Sequence, residues 1–145
     1  MKTIYMGLAI LTLVLMAFRY PKTDFKTDPE GGIQFFKGTF QQAMDLAEKE
    51  NKLIFLDIYA TWCGPCKRLK SVTFSNKEVG EFYNKTFINI ALDGEKGEGL
   101  ELARKYGIIG YPTLLFIDSK GKVVGQTSGY HKPSEFIELG ERFKK

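Results

Sequence analysis

Leu53-Ile54-Phe55-Leu56-Asp57-Ile58-Tyr59-Ala60-Thr61-Trp62-Cys63-Gly64-Pro65-Cys66-Lys67 is the stretch that decides the fold. Its first seven residues are apolar on both alternating faces, the pattern of a central strand covered on both sides, and only Asp57 breaks it. The chain then turns a corner through Gly64-Pro65. Proline suits the first turn of a helix, where its missing N–H costs nothing, so a helix is expected over 65–73. The free N–H groups and positive dipole end of such a helix stabilise a thiolate. Cys63 stands at that end, so its pKa is expected to fall toward neutrality and make it the attacking sulfur. Cys66, one turn in and expected to be less exposed, can return to Cys63 and resolve a mixed disulfide.

Three other readings of the pair compete. A zinc site needs about four ligands, and beyond the two cysteines the remaining candidate is the lone His131. Covalent haem attachment needs a histidine directly after Cys66, where Lys67 stands. Two inert core cysteines would not need glycine and proline between them at a strand-to-helix corner. No metal and no cofactor is therefore expected beyond a redox-active Cys63–Cys66 disulfide. As a structural staple the pair has little value, because closing so short a loop removes only about 2 kcal/mol of unfolded-state entropy.

Asp57 lies six residues before Cys63 on the strand that feeds the corner. A carboxylate in an apolar strand is expensive unless it is functional or paired. Burial should raise its pKa and let it exchange protons with Cys66. The competing reading is a structural acid paired with Lys52 or another lysine. Pro112, after Gly110-Tyr111 and before an apolar run, is a good place for a cis bond, with a trans proline opening a strand as the alternative.

Outward from the corner, residues 39–51 read as a helix with Phe40, Ala43, Met44 and Ala47 on one face and Thr39 as N-cap. Ser75-Asn76 can cap a further short helix through Tyr83. Residues 87–92 read as a strand, 94–99 as a loop rich in glycine and acid, and 100–106 as a helix. Residues 114–118 and 123–127 form a hairpin around the turn 119–122. Pro133 opens a last helix, 133–143, with Phe136, Ile137 and Leu139 available for packing. The order describes an α/β fold, a central mixed β-sheet with helices on both faces.

The chain has 145 residues, which suits one domain, with 43% hydrophobic and 26% charged residues. The net charge of +4 is spread without a dense basic block, so no nucleic-acid partner is expected. With only two cysteines, the chain is no disulfide-stapled secreted scaffold. Residues 1–19 carry a short positive start and an apolar run over 4–18 ended by Arg19. About 15 apolar residues fit a signal-peptide core and are short for a bilayer span, which needs about 20. Two export readings stand, a cleaved signal peptide and an uncleaved membrane anchor, beside an apolar N-terminal helix of a soluble protein. Residues 20–32, with Pro21, Pro29, Gly31 and Gly32 among charges, read as a linker, and the folded domain is expected over 33–145.

The segment 55–67 resembles the active-site segment of the thioredoxin family. Tyr106-Gly107-Ile108-Ile109-Gly110-Tyr111-Pro112-Thr113-Leu114 resembles the family's cis-proline segment, and 118–129 its closing hairpin. The resemblance implies the thioredoxin fold and a thiol-disulfide oxidoreductase. It implies Cys63 as nucleophile, Cys66 as resolving cysteine and Asp57 as the buried acid. Trp62, Gly64, Pro65, Tyr111 and Pro112 are implied to bind substrate, with Tyr111 offering backbone groups to an extended peptide. Residues 87–93 lack the lysine that thioredoxins pair with the buried acid, and Tyr111 replaces a smaller aliphatic residue. Other segments look more like exported thioredoxin-like proteins and the thioredoxin-like domain of periplasmic electron-relay proteins.

The expected function is reduction of disulfides in exported proteins by a monomer, recharged by an upstream thiol reductant such as a transmembrane relay. The alternatives are an oxidase or isomerase of exported proteins, or a peptide-binding module without turnover. The N-terminal reading has its own check. Residues 1–32 fused to a reporter that works only outside the cytoplasm should give an active reporter, and an inactive cytosolic fusion would contradict export.

Overall fold

The computed structural model describes residues 31–144. The expected signal or anchor over 1–19 and most of the expected linker lie outside the described residues. Gly31 and Gly32, the end of that linker, pack on the domain. A Cβ on Gly32 would stand 2.9 Å from Ser75 Cα, and the Gly32 carbonyl accepts from Asn84 Nδ2 at 3.0 Å.

Helix α1 (Phe40–Glu50) is held by a reciprocal cap: the Thr39 side chain accepts from the Gln42 N–H, and the Gln42 side chain accepts from the Thr39 N–H. It ends at Asn51 in the left-handed region, φ 51°. Strand β1 (Leu53–Tyr59) follows, then α2 (Gly64–Arg68), which continues as a π-helical segment (Leu69–Phe74). Helix α3 (Lys77–Thr86) is capped by Asn76, whose Oδ1 accepts from the Val79 N–H at 3.1 Å. Strand β2 (Phe87–Asp93), helix α4 (Gly97–Lys105), strands β3 (Thr113–Ile117) and β4 (Val123–Ser128), and helix α5 (Pro133–Glu141) complete the chain.

The sheet order is β2-β1-β3-β4, with β1 parallel to β2 and antiparallel to β3, and β3 antiparallel to β4. The expected mixed sheet with helices on both faces is therefore present. Strand β1 is hydrogen-bonded on both edges, and alternation divides its residues between two cores. Ile54, Leu56 and Ile58 meet Phe40, Ala43 and Ala47 of α1 and Leu102 and Ala103 of α4. Leu53 and Phe55 meet Leu69, Phe74, Val79, Tyr83 and Phe136 on the other face. Phe55 sits within 5.2–6.0 Å, centroid to centroid, of the rings of Phe74, Tyr83, Phe116 and Phe136. Tyr83 and Phe136 stack at 4.3 Å, and the Tyr83 hydroxyl donates to the Phe136 carbonyl at 2.8 Å.

The largest departures from the sequence expectation are at three boundaries, while α5 ends at Glu141 and not at 143. The helix expected over 65–73 changes to π geometry at Leu69. The wider turn brings residues five apart onto one face, so Leu69 and Phe74 both bury, with Thr73 beside them. Helix α3 runs past Tyr83 to Thr86, where the Thr86 hydroxyl bonds back to the Phe82 carbonyl. The glycine- and acid-rich tract 94–99 is not all loop, since α4 begins at Gly97. Gly99 is buried against the Asp93 carbonyl so closely that no Cβ fits. That glycine therefore serves close packing of helix on strand, a use that composition does not separate from a flexible loop.

Phe55→Ala empties the centre of the aromatic cluster and should cost about 3–5 kcal/mol of stability. A urea titration should show a lower midpoint with the slope retained, and an unchanged midpoint would contradict the packing described.

Candidate active site

Cys63 is the N-cap of α2, with extended backbone (φ −76°, ψ 115°), and its Sγ accepts from the Cys66 N–H at 3.2 Å. The corner is tied by Cys63 N–H to the Ala60 carbonyl at 3.2 Å and Lys67 N–H to the Cys63 carbonyl at 3.1 Å. Pro65 falls in the first turn, which contains no acid. Cys63 and Cys66 are joined as a disulfide with their Cα atoms 5.3 Å apart. Both are buried, and the expectation that Cys66 is the less exposed does not hold: Cys63 is 2% exposed and Cys66 7%. Tyr59 and Tyr111 pack against the bonded pair, and Cys66 also lines a cleft.

That cleft, about 410 Å³, brings Asp57 and Cys66 together, with Tyr59, Lys67, Lys70 and Phe74 among its walls. Parity explains the meeting. Asp57 points to the same face of β1 as Phe55, the face that α2 and its π segment cover. Asp57 is buried at 5% exposure, and its Oδ1 has no hydrogen-bond partner. The residue opposite it in parallel register on β2 is Ala91. Lys52, the cation weighed as its partner, is engaged with Glu50 at 2.9 Å. Neither Lys67 nor Lys70 forms an ion pair with it, and burial pushes the Asp57 carboxyl from 3.8 up to about 7.

The third wall comes from the segment before β3. The Tyr111–Pro112 peptide bond is cis. Pro112 is buried, and its carbonyl accepts from the Gly129 N–H at 3.1 Å. The Thr113 hydroxyl closes the preceding turn on the Gly110 carbonyl at 2.8 Å. Tyr111 packs against the cysteine cluster and meets Trp62 edge to face at 6.0 Å. Gly64 and Pro65 are exposed beside the buried disulfide, and a side chain at Gly64 would meet nothing within 4 Å. Trp62 is 66% exposed. Asp57 and Tyr111 thus lie at the Cys63–Cys66 pair, with Trp62, Gly64 and Pro65 beside it in the chain and Pro112 next to Tyr111.

Two participants were missed. Gly94 leaves room for Tyr111: a Cβ there would lie 2.5 Å from Tyr111 Cε1 and 2.8 Å from Ile58 Cγ2. Glu95 accepts from Trp62 Nε1 through both carboxylate oxygens, each at 3.1 Å. The signal was available in principle, because parallel β1 and β2 end side by side and the loop leaving β2 must pass the corner leaving β1.

A family model for a thioredoxin-like domain matches residues 40–144. The thiol:disulfide interchange protein DsbD of Yersinia pestis (strain Pestoides F) is 30% identical over 96 residues, covering 64% of this chain but only 16% of that protein. A candidate disulphide-isomerase from Bacteroides thetaiotaomicron is 45% identical, with a TM-score of 0.68 over 79% of this chain and 98% of that one. The oxidised C-terminal domain of DsbD from Neisseria meningitidis is 32% identical, with a TM-score of 0.60 over 72% and 92%.

The raised carboxyl has a signed consequence for stability. Between pH 3.8 and about 7 folded Asp57 holds a proton that the unfolded chain has released. Its contribution is most favourable below pH 4, is lost as pH rises toward 7, and is constant above that. About three pH units at about 1.4 kcal/mol each put the loss on the order of 4 kcal/mol. Urea unfolding of the oxidised protein should therefore show stability falling from pH 5 to pH 8. Asp57→Asn should lose that part of the slope and exceed the wild type at pH 8. A wild-type slope shared unchanged by Asp57→Asn would contradict the burial argument.

Proposed function

The chain belongs to the thioredoxin-like family, and on that footing we propose that it is a reductase of protein disulfides working outside the cytoplasm. Thiol-disulfide exchange through the Cys63–Cys66 pair is its activity. The observation that carries the proposed mechanism is the pairing of a helix N-cap cysteine with an unpaired buried carboxyl in the cleft at the second cysteine.

In the reduced domain the Cys63 thiolate is stabilised by the Cys66 N–H and the α2 dipole end. It attacks one sulfur of a substrate disulfide. That S–S bond breaks, the far sulfur leaves as a thiolate and takes a proton from solvent, and a mixed disulfide to Cys63 forms. Cys66 then gives its thiol proton to the Asp57 carboxylate and attacks Cys63 Sγ. The mixed disulfide breaks, the second substrate sulfur leaves and is protonated from solvent, and the Cys63–Cys66 bond closes. Two electrons have passed from the domain to the substrate. Asp57 returns its proton to solvent through the cleft, and a pKa of about 7 lets it act as both acceptor and donor near neutrality. A dithiol reductant must then restore the pair, and the likeness to DsbD supports a thiol relay as its source.

The substrate reading is an extended peptide laid over Trp62, Gly64, Pro65, Tyr111 and Pro112. The exposure of Trp62, Gly64 and Pro65 beside the buried bond supports it. The direction rests on Gly64-Pro65. This pair resembles thioredoxin, whose potential is near about −270 mV, and not strong oxidants near about −120 mV. Export rests on the apolar run over 4–18.

Two measurements test this. Cys66→Ala should trap a mixed disulfide with a substrate peptide at Cys63, and Cys63→Ala should trap none. Glutathione titration of the wild-type domain should give a potential below about −220 mV. A potential above about −150 mV would turn the reading to an oxidase, and absence of a trapped species would remove the assigned order of attack.

A further inference from the structure

The loop after β2 sends to the active-site surface a side chain that the exchange chemistry itself does not require. Glu95 is exposed, and Trp62 Nε1 donates to both its carboxylate oxygens at 3.1 Å. Trp62 is 66% exposed, so burial alone does not orient its indole. Its orientation comes from two contacts, the Glu95 carboxylate at one edge and the Tyr111 ring at 6.0 Å. Tyr111 in turn packs on the disulfide cluster over Gly94. Carboxylate, indole and phenol thus form a row leading from solvent to the Cys63–Cys66 bond. The loop is fixed as well, because the Glu95 N–H donates to Asp93 Oδ1 at 2.9 Å.

The charges around this row are unequal. Asp93 is paired with Lys96 at 3.8 Å, whereas Glu95 makes no ion pair among the described residues. Its field reaches the groove: after burial, the carboxylates of Glu95 and Asp93 are what push the Tyr111 phenol above its ordinary value. The lysines of α2 and its π segment stand on another face. Lys67 and Lys70 line the Asp57 cleft, on the sheet face of Phe74, while Tyr111 packs on the α1–α4 face.

Resting on the reductase reading above, we propose that Glu95 is a specificity-determining residue of the exchange reaction. Its carboxylate positions Trp62 and gives the groove rim an unpaired negative charge, so disulfides flanked by Lys or Arg are preferred to those flanked by Asp or Glu. Glu95 takes no part in the bond exchange. It acts on encounter and on the hold over the bound peptide, so its effect belongs in kcat/KM and is sensitive to salt.

Two peptides test this, identical in their disulfide and flanked by lysines in one and aspartates in the other. Wild type should reduce the lysine peptide with a kcat/KM about two- to fivefold higher, the scale of one exposed charge pair. The ratio should shrink toward one as salt rises. Glu95→Gln keeps an acceptor for Trp62 and loses the charge, so the ratio should fall to one. Glu95→Lys should invert it. Trp62 is the single tryptophan of the chain, so emission anisotropy reports on its mobility directly. It should hold in Glu95→Gln and drop in Glu95→Ala. An equal ratio in wild type and Glu95→Gln would overturn the charge role, and unchanged anisotropy in Glu95→Ala would overturn the positioning role. Reduction of the uncharged 2-hydroxyethyl disulfide by wild type separates the two layers. If it fails, the reductase reading falls. If it succeeds while the charge ratio is flat, only the role of Glu95 falls.

Discussion

Strand β1 is bonded on both edges and covered on both faces, and the site is a consequence of that enclosure. Each buried aliphatic or aromatic side chain of the strand contributes about 1.5–3 kcal/mol on leaving water. A strand so stabilised tolerates one group that opposes folding. That group is Asp57, with Ala91 beside it in register and no ion pair to either lysine of its cleft. The dry face that buries Leu53 and Phe55 is the one that holds the Asp57 carboxyl near neutrality. Stability and reactivity are thus set by the same packing, and alternation along β1 decides that the carboxyl meets Cys66 and not α1 or α4.

The other half of the site is assembled where chain segments end. Strand β1 ends at the cysteine corner, β2 ends at the Gly94 turn, and β3 begins after the cis Tyr111–Pro112 bond. Close approach of these three ends requires room that side chains would fill. Gly94 leaves space for Tyr111, and Gly99 lets α4 lie on the end of β2. The Gly94 N–H donates to the Tyr59 carbonyl at 2.8 Å, which ties the β2 turn to the end of β1. The polar and reactive groups therefore stand on short connections carried by a rigid sheet, a common division of labour in α/β proteins.

Two carboxylates flank the disulfide in opposite dielectric settings. Asp57 is out of water, where desolvation governs its proton and its coupling to Cys66. Glu95 is in water, where a charge acts weakly, over a distance cut by salt, and chiefly on what approaches. One side of the bond is thus equipped for proton exchange and the other for selection of partners. The exposed indole of Trp62 joins the second group to the disulfide through Tyr111.

Much of this was legible in the chain itself. The double-sided apolar pattern of residues 53–59 announced a central strand, the cysteine spacing announced the chemistry, and Asp57 stood out because its type contradicts its neighbours. Thr39 and Asn76 were readable as caps because capping depends on residues three positions apart. Local sequence did not contain the π turn that buries Leu69 with Phe74, since that depends on the ring cluster around Phe55. Nor did it distinguish Gly99, packed on the Asp93 carbonyl, from a loop glycine. The near-equal burial of Cys63 and Cys66 follows from Tyr59 and Tyr111 closing over the pair. Residues 1–19 were read from sequence alone. Periodicity, spacing and residue type are properties of neighbours along the chain, and they determined the elements and the reacting atoms. The link from Glu95 to Trp62 spans 33 positions, and Asp57 meets Cys66 only across a cleft, so these were decided by tertiary structure, which alone sets which strand ends lie side by side.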